Sequence, residues 1–62
     1  MESIKNKIDK LHQLLCDRYD LAKTKKILAH KNNDQNKKQR YAGQMDAFES
    51  VIIHVQNLRR EL

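Results

Sequence analysis

The sequence predicts an all-α protein: an antiparallel hairpin of two long helices that pairs with a second copy in a four-helix bundle. Three observations lead there. The 62 residues contain no proline and one glycine, a helical composition, because sheets and β-hairpins need turn residues of this kind. Apolar residues recur at steps of three and four on both sides of the middle of the chain. A polar segment separates these two periodic blocks, so they fold back on each other.

The first helix is expected over residues 3 to about 30, with Ser3 or Glu2 serving its start. One face carries Ile4, Ile8, Leu11, Leu15, Ala22 and Ala29, and a flank at heptad spacing carries Leu14, Leu21 and Leu28. Two cationic side chains interrupt this surface, Arg18 and Lys25. Their stems can lie along apolar surface at its edge, or their charges can limit which partner packs there.

The loop is expected over residues 31–34. Asparagine tolerates the left-handed backbone that ends helices, and Asn32 and Asn33 are adjacent here. Asp34 is a good N-cap for the helix that follows. The second helix is expected over residues 35 to about 61, so residues 1–62 form a single helical domain.

One stripe organises the second helix: Tyr41, Met45, Phe48, Ile52, Val55, Leu58 and Leu62. Gly43 lies on the opposite face with Ile53, and a glycine inside a helix costs about 1 kcal/mol relative to alanine. Two interpretations of that face stay open. It is either a solvated face with one isolated isoleucine, or a second interface where Gly43 permits close approach.

Assembly is expected because the apolar faces are wider than a two-helix contact covers. A second hairpin would close them in a homodimer, and a helix of another protein is the alternative. The residues expected to form the core and the assembly surface are Leu11, Leu14, Leu15, Leu21, Leu28, Met45, Phe48, Val51, Ile52, Val55 and Leu58.

Positive charge is concentrated around the loop. Seven basic residues and one acidic residue lie between Lys23 and Arg40, so this segment, the basic tip, carries +6 and the remainder −1. The candidate contacts are Lys23, Lys26, Lys31, Lys37, Lys38, Arg40 and Tyr41. The basic tip could be merely solvated, could dock on an acidic protein surface, or could hold nucleic-acid phosphates with Tyr41 stacking on a base.

Catalytic, cofactor and metal motifs are not evident. His12 and Cys16 share a helix face, but a closed zinc site needs four ligands, and no phosphate-binding glycine loop is present. We expect no enzyme, no cofactor and no metal. No apolar run reaches the length of a membrane span, so we expect no membrane partner and a cytoplasmic location.

The function expected is that of a non-enzymatic protein-interaction module, a small regulator or inhibitor that docks on a partner protein. The alternative is a nucleic-acid-binding protein that uses the basic tip on phosphates without sequence specificity. A self-assembling structural element without a further partner is a third possibility.

Overall fold

The computed structural model describes residues 3–62 and contains two antiparallel helices, α1 (Ile4–Lys31) and α2 (Gln35–Glu61). The all-α hairpin expected from the sequence is confirmed, and no strand occurs in the described residues. Its Cα atoms span 47 × 19 × 11 Å. Over the same residues, neither helix is long and apolar enough to cross a membrane.

Local hydrogen bonds explain where the helices begin and end. Ser3 caps α1, since its hydroxyl accepts the Asn6 N–H at 3.2 Å, whereas Glu2, the alternative cap, lies outside the described residues. The chain leaves α1 through Asn33, which has a φ of 57° in the left-handed region that asparagine tolerates. The Asp34 carboxylate then accepts the Lys37 N–H at 3.1 Å and caps α2.

The core is a narrow contact between the two helices. Its buried residues are Ile8, Ala22, Ala29 and Val55. Leu15 from α1 and Tyr41, Met45, Phe48 and Ile52 from α2 are half-buried beside them. Two of the four buried side chains are alanines, so the contact itself supplies little apolar burial.

Several expected core residues lie at the margin of this contact. Ile4 and Leu62 are 69% and 63% exposed, so the stripes do not stay covered to the chain ends. The exposure lies between 45% and 53% for Leu11, Leu14, Leu21, Leu28, Val51 and Leu58. The physical reason is geometric, because each apolar face is wider than the arc that one neighbouring helix can cover.

The accessible surface of the hairpin is large for its mass. It amounts to 5060 Å² for a 7.4 kDa chain, whereas the scaling for compact monomers gives about 4200 Å². The excess reflects both the elongated shape and the half-exposed leucines. The hairpin therefore has a thin core and a broad apolar margin.

Candidate interaction surfaces

The two edges of the helix contact differ in chemistry. Along one of them, the polar edge, three side-chain pairs bridge the helices: Asp9 with Arg59, His12 with Gln56, and His30 with Lys38. The residue numbers of each pair sum to 68, as a constant antiparallel register requires. These pairs therefore bridge the same edge from the chain termini to the loop.

The polar pairs are short but exposed to water. Asp9 Oδ1 and Arg59 Nε are 2.8 Å apart, yet the two side chains are 38% and 45% exposed. Such an ion pair is worth about 1 kcal/mol at most, because both side chains remain more than a third exposed. Gln56 donates to Nε2 of His12 at 3.3 Å, and the Lys38 ammonium donates to Nδ1 of His30 at 3.0 Å. The polar edge thus specifies register more than it stabilises the fold.

The opposite edge is the apolar edge, formed by Leu11, Leu14, Leu21, Leu28, Val51 and Leu58. Lys25 and Tyr41 mark its position, since the Lys25 ammonium lies 5.8 Å from the Tyr41 ring centroid. Leu11 is two heptads before Lys25 and therefore lies on the same side of α1. On α2, Lys37 shares a cavity with Lys25 and Tyr41. Val51 and Leu58 are two and three heptads after Lys37 and therefore lie on the same side of α2.

The structure divides the basic tip between these two edges. At the apolar edge, Lys25 and Lys37 line a cavity of about 210 Å³ together with Tyr41 and Asp34. Tyr41 is half-buried, and the Lys25 ammonium lies over its ring. The ring is therefore already engaged within the hairpin, which weakens the expectation that it stacks on a base.

At the polar edge, a larger cavity of about 380 Å³ lies next to the loop. We call it the basic cavity, and it is lined by Lys23, Lys26, Ile27, His30, Lys38 and Met45. Three of the candidate contact lysines thus converge here. Lys31 and Arg40 are exposed and line neither cavity, so the structure does not bring them to the same place.

Three residues of the basic cavity were not among the candidate contacts: Ile27, His30 and Met45. A spacing signal for each of them is present in the sequence. His30 follows Lys23 by seven residues, and Met45 follows Lys38 by seven, so each helix places a basic residue and its neighbour on one face. Ile27 follows Lys23 by four residues and completes the α1 wall.

The outward face of α2 carries the proposed second interface. Ile53 is exposed there, and a Cβ built on Gly43 would meet nothing within 4 Å. No close contact within the hairpin therefore requires a glycine at position 43. Any need for a glycine at this position would have to come from another molecule.

The one thiol of the chain contacts a histidine. Cys16 is half-buried with its Sγ 3.9 Å from Nδ1 of His12, one helical turn earlier, as their spacing predicts. The sulfur lies 4.0 Å from Nε2 of the same imidazole, which is also 3.3 Å from the Gln56 amide nitrogen. Over residues 3–62, no group of three or more histidine, cysteine, aspartate and glutamate side chains could hold a metal ion.

Comparison of the chain with protein-family models, with curated proteins and with solved structures gave no match.

Proposed function

We propose that this chain is a non-enzymatic interaction module that assembles with a second copy through its apolar edge and docks on a partner protein through the basic tip. The observation that carries this proposal is the row of six half-exposed aliphatic side chains along the apolar edge. Contiguous apolar surface of this kind marks interaction sites on soluble proteins. The opposite edge carries the polar pairs, with Ile27 exposed beside them.

A second hairpin fits the apolar edge in size. The Cα atoms span 47 × 19 Å across the broad face along which this edge runs, a projection of about 900 Å², and a standard interface takes about 800 Å² of accessible surface from each partner. Stacking two such faces buries the leucines of both copies at once and produces a four-helix bundle. The same arrangement leaves the polar edge and the outward face of α2 free in each copy.

The test compares two substitutions of equal exposure on different faces. Leu21 on the apolar edge and Ile53 on the outward face are 48% and 47% exposed in the hairpin. We expect the wild-type protein and Ile53→Ser to have the mass of a dimer in sedimentation equilibrium. Leu21→Ser should weaken dimerisation at least tenfold, because each copy would bury a hydroxyl among leucines.

Three results would contradict this assembly. A monomer mass for the wild-type protein at all concentrations would remove the homodimer and leave a helix of another protein as the occupant. Dissociation by Ile53→Ser with no effect of Leu21→Ser would move the contact to the outward face. A melting temperature independent of protein concentration would also oppose self-association, because mass action makes it concentration-dependent.

Nucleic-acid binding is the alternative function, and the net charge of +6 between Lys23 and Arg40 is the observation that favours it. Phosphate contacts release counterions, so binding would weaken steeply as salt rises. The test is retention on immobilised single-stranded DNA and RNA at 50 mM salt, with elution by 200 mM. Absence of retention at 50 mM salt would eliminate this alternative and favour a protein partner for the basic tip.

A further inference from the structure

The basic cavity combines a dense positive charge with an apolar floor. Three lysines and one histidine line it together with Ile27 and Met45. Ile27 is 48% exposed, so much of its side chain on the apolar floor faces solvent. Lys26 and Lys38 are half-buried, as is common for lysines whose aliphatic stems pack on apolar surface.

The charge of this cavity is not neutralised from within. No carboxylate is present among its lining residues in the described part of the chain. Lys38 donates to Nδ1 of His30, which holds its ammonium at the cavity without changing the local charge. An occupant must therefore supply the negative charge. The cavity at the apolar edge differs here, because Asp34 lies among its lining residues.

The apolar floor decides which kind of anion fits. Single-stranded nucleic acid binds through phosphates together with bases stacked on aromatic rings. Among residues 3–62, no aromatic side chain lines the basic cavity, and the Tyr41 ring lies at the other edge beneath Lys25. A phosphate backbone would leave Ile27 and Met45 facing water or polar groups. An acidic protein segment with a bulky aliphatic side chain would cover both.

We propose that the basic cavity binds an acidic protein segment, which places a large aliphatic side chain on Ile27 and Met45 while its carboxylates pair with Lys23, Lys26 and Lys38. This inference rests on the proposed docking function of the basic tip and assigns it a place and a ligand class. The cavity opens on the polar edge, so a dimer joined through the apolar edges presents two such cavities, one on each copy.

The test uses two fluorescein-labelled peptides and one oligonucleotide. The peptides contain the cores Glu-Glu-Leu-Glu-Glu and Glu-Glu-Ser-Glu-Glu, and the oligonucleotide is a ten-nucleotide oligothymidylate. Binding to the full chain is followed by fluorescence anisotropy at 50 mM salt. We expect the leucine peptide to bind about tenfold more tightly than the serine peptide, because only the leucine buries apolar surface on the floor. The oligonucleotide should bind more weakly than the leucine peptide.

Matched variants locate the site. Lys26→Glu and Lys31→Glu change the net charge equally and lie in the basic tip, but only Lys26 lines the basic cavity. We expect Lys26→Glu to weaken binding of the leucine peptide at least tenfold and Lys31→Glu less than threefold. Ile27→Ser should remove the preference for leucine over serine. Helicity is checked by circular dichroism, and the more exposed Lys23→Glu replaces Lys26→Glu if that variant unfolds.

Four results would overturn the inference. Equal losses in Lys26→Glu and Lys31→Glu would show diffuse attraction to the whole tip. Equal binding of the two peptides would show that the floor is not used. Tighter binding of the oligonucleotide than of the leucine peptide would assign the cavity to nucleic acid. Absence of peptide binding at millimolar protein would show that the cavity does not bind acidic protein segments. Sedimentation of the same variants reports dimerisation separately, so a failed cavity and a failed assembly can be told apart.

Discussion

Gly43→Ala provides a sharp test of the outward face of α2, because the structure predicts a gain in stability. The residue lies inside α2 without the positive φ that would require glycine, and an added Cβ would have nothing within 4 Å. Alanine therefore introduces no clash and removes the backbone entropy cost of glycine in a helix. The expected gain in the free energy of unfolding is about 1 kcal/mol.

That free energy corresponds to a large shift in melting temperature for so short a chain. An unfolding entropy of about 2.1 cal/mol/K per residue gives about 130 cal/mol/K for 62 residues, so 1 kcal/mol raises the melting temperature by about 8 °C. Thermal unfolding is followed by circular dichroism at one fixed protein concentration. Ser50→Gly is the control, because Ser50 lies two turns further along the same face and is also exposed. It should lower the melting temperature by about 4 °C.

A melting temperature that stays the same or falls in Gly43→Ala would refute this reasoning, since it would mean that a second copy of the chain fills the open space in the purified protein. The same variant also tests the second interface. If a partner approaches Gly43 closely, the alanine should weaken partner docking while the isolated protein becomes more stable. If the face is only solvated, stability rises and docking is unchanged.

Two further predictions concern the core and the second cap. Phe48→Ala removes a half-buried ring from the helix contact and should lower the free energy of unfolding by about 3 kcal/mol. A 62-residue chain has a free energy of unfolding of roughly 3–9 kcal/mol, so circular dichroism should show a broad transition at lower temperature. An unchanged transition would mean that Phe48 is not in the contact. Asp34→Ala removes the acceptor for the Lys37 N–H and should lower the free energy of unfolding by about 1 kcal/mol. The melting temperature should then fall by about 8 °C. Asp34→Asn keeps an acceptor and should lose much less stability.

Much of the fold follows from local features of the sequence. Two blocks of period 3.6 separated by Asn32 and Asn33 predict two helices and the position of the loop, because the hydrogen bonds that end a helix lie within a few residues. The caps at Ser3 and Asp34 follow for the same reason. The concentration of positive charge near the loop is a property of composition, and a short loop between long helices brings it to one end.

The rotation of each helix about its axis was decided only by the tertiary structure. Periodicity defines a broad apolar face on α1, but it does not say which part of that face α2 covers. The hairpin covers the part that contains Ile8, Ala22 and Ala29 and leaves Leu14 and its heptad neighbours exposed. Pairs far apart in sequence, such as Asp9 with Arg59, depend on that choice.

The same rotation determined the candidate sites. In the sequence, the lysines of the basic tip form one cluster, and Tyr41 is adjacent to it. In the folded chain, Lys25 lies over Tyr41 at one edge, while Lys23, Lys26 and Lys38 meet at the other around Ile27 and Met45. Charge and periodicity are properties of the amino-acid sequence and could be predicted from it. A cavity between two helices depends on how both present their side chains, so only the packed structure could show it.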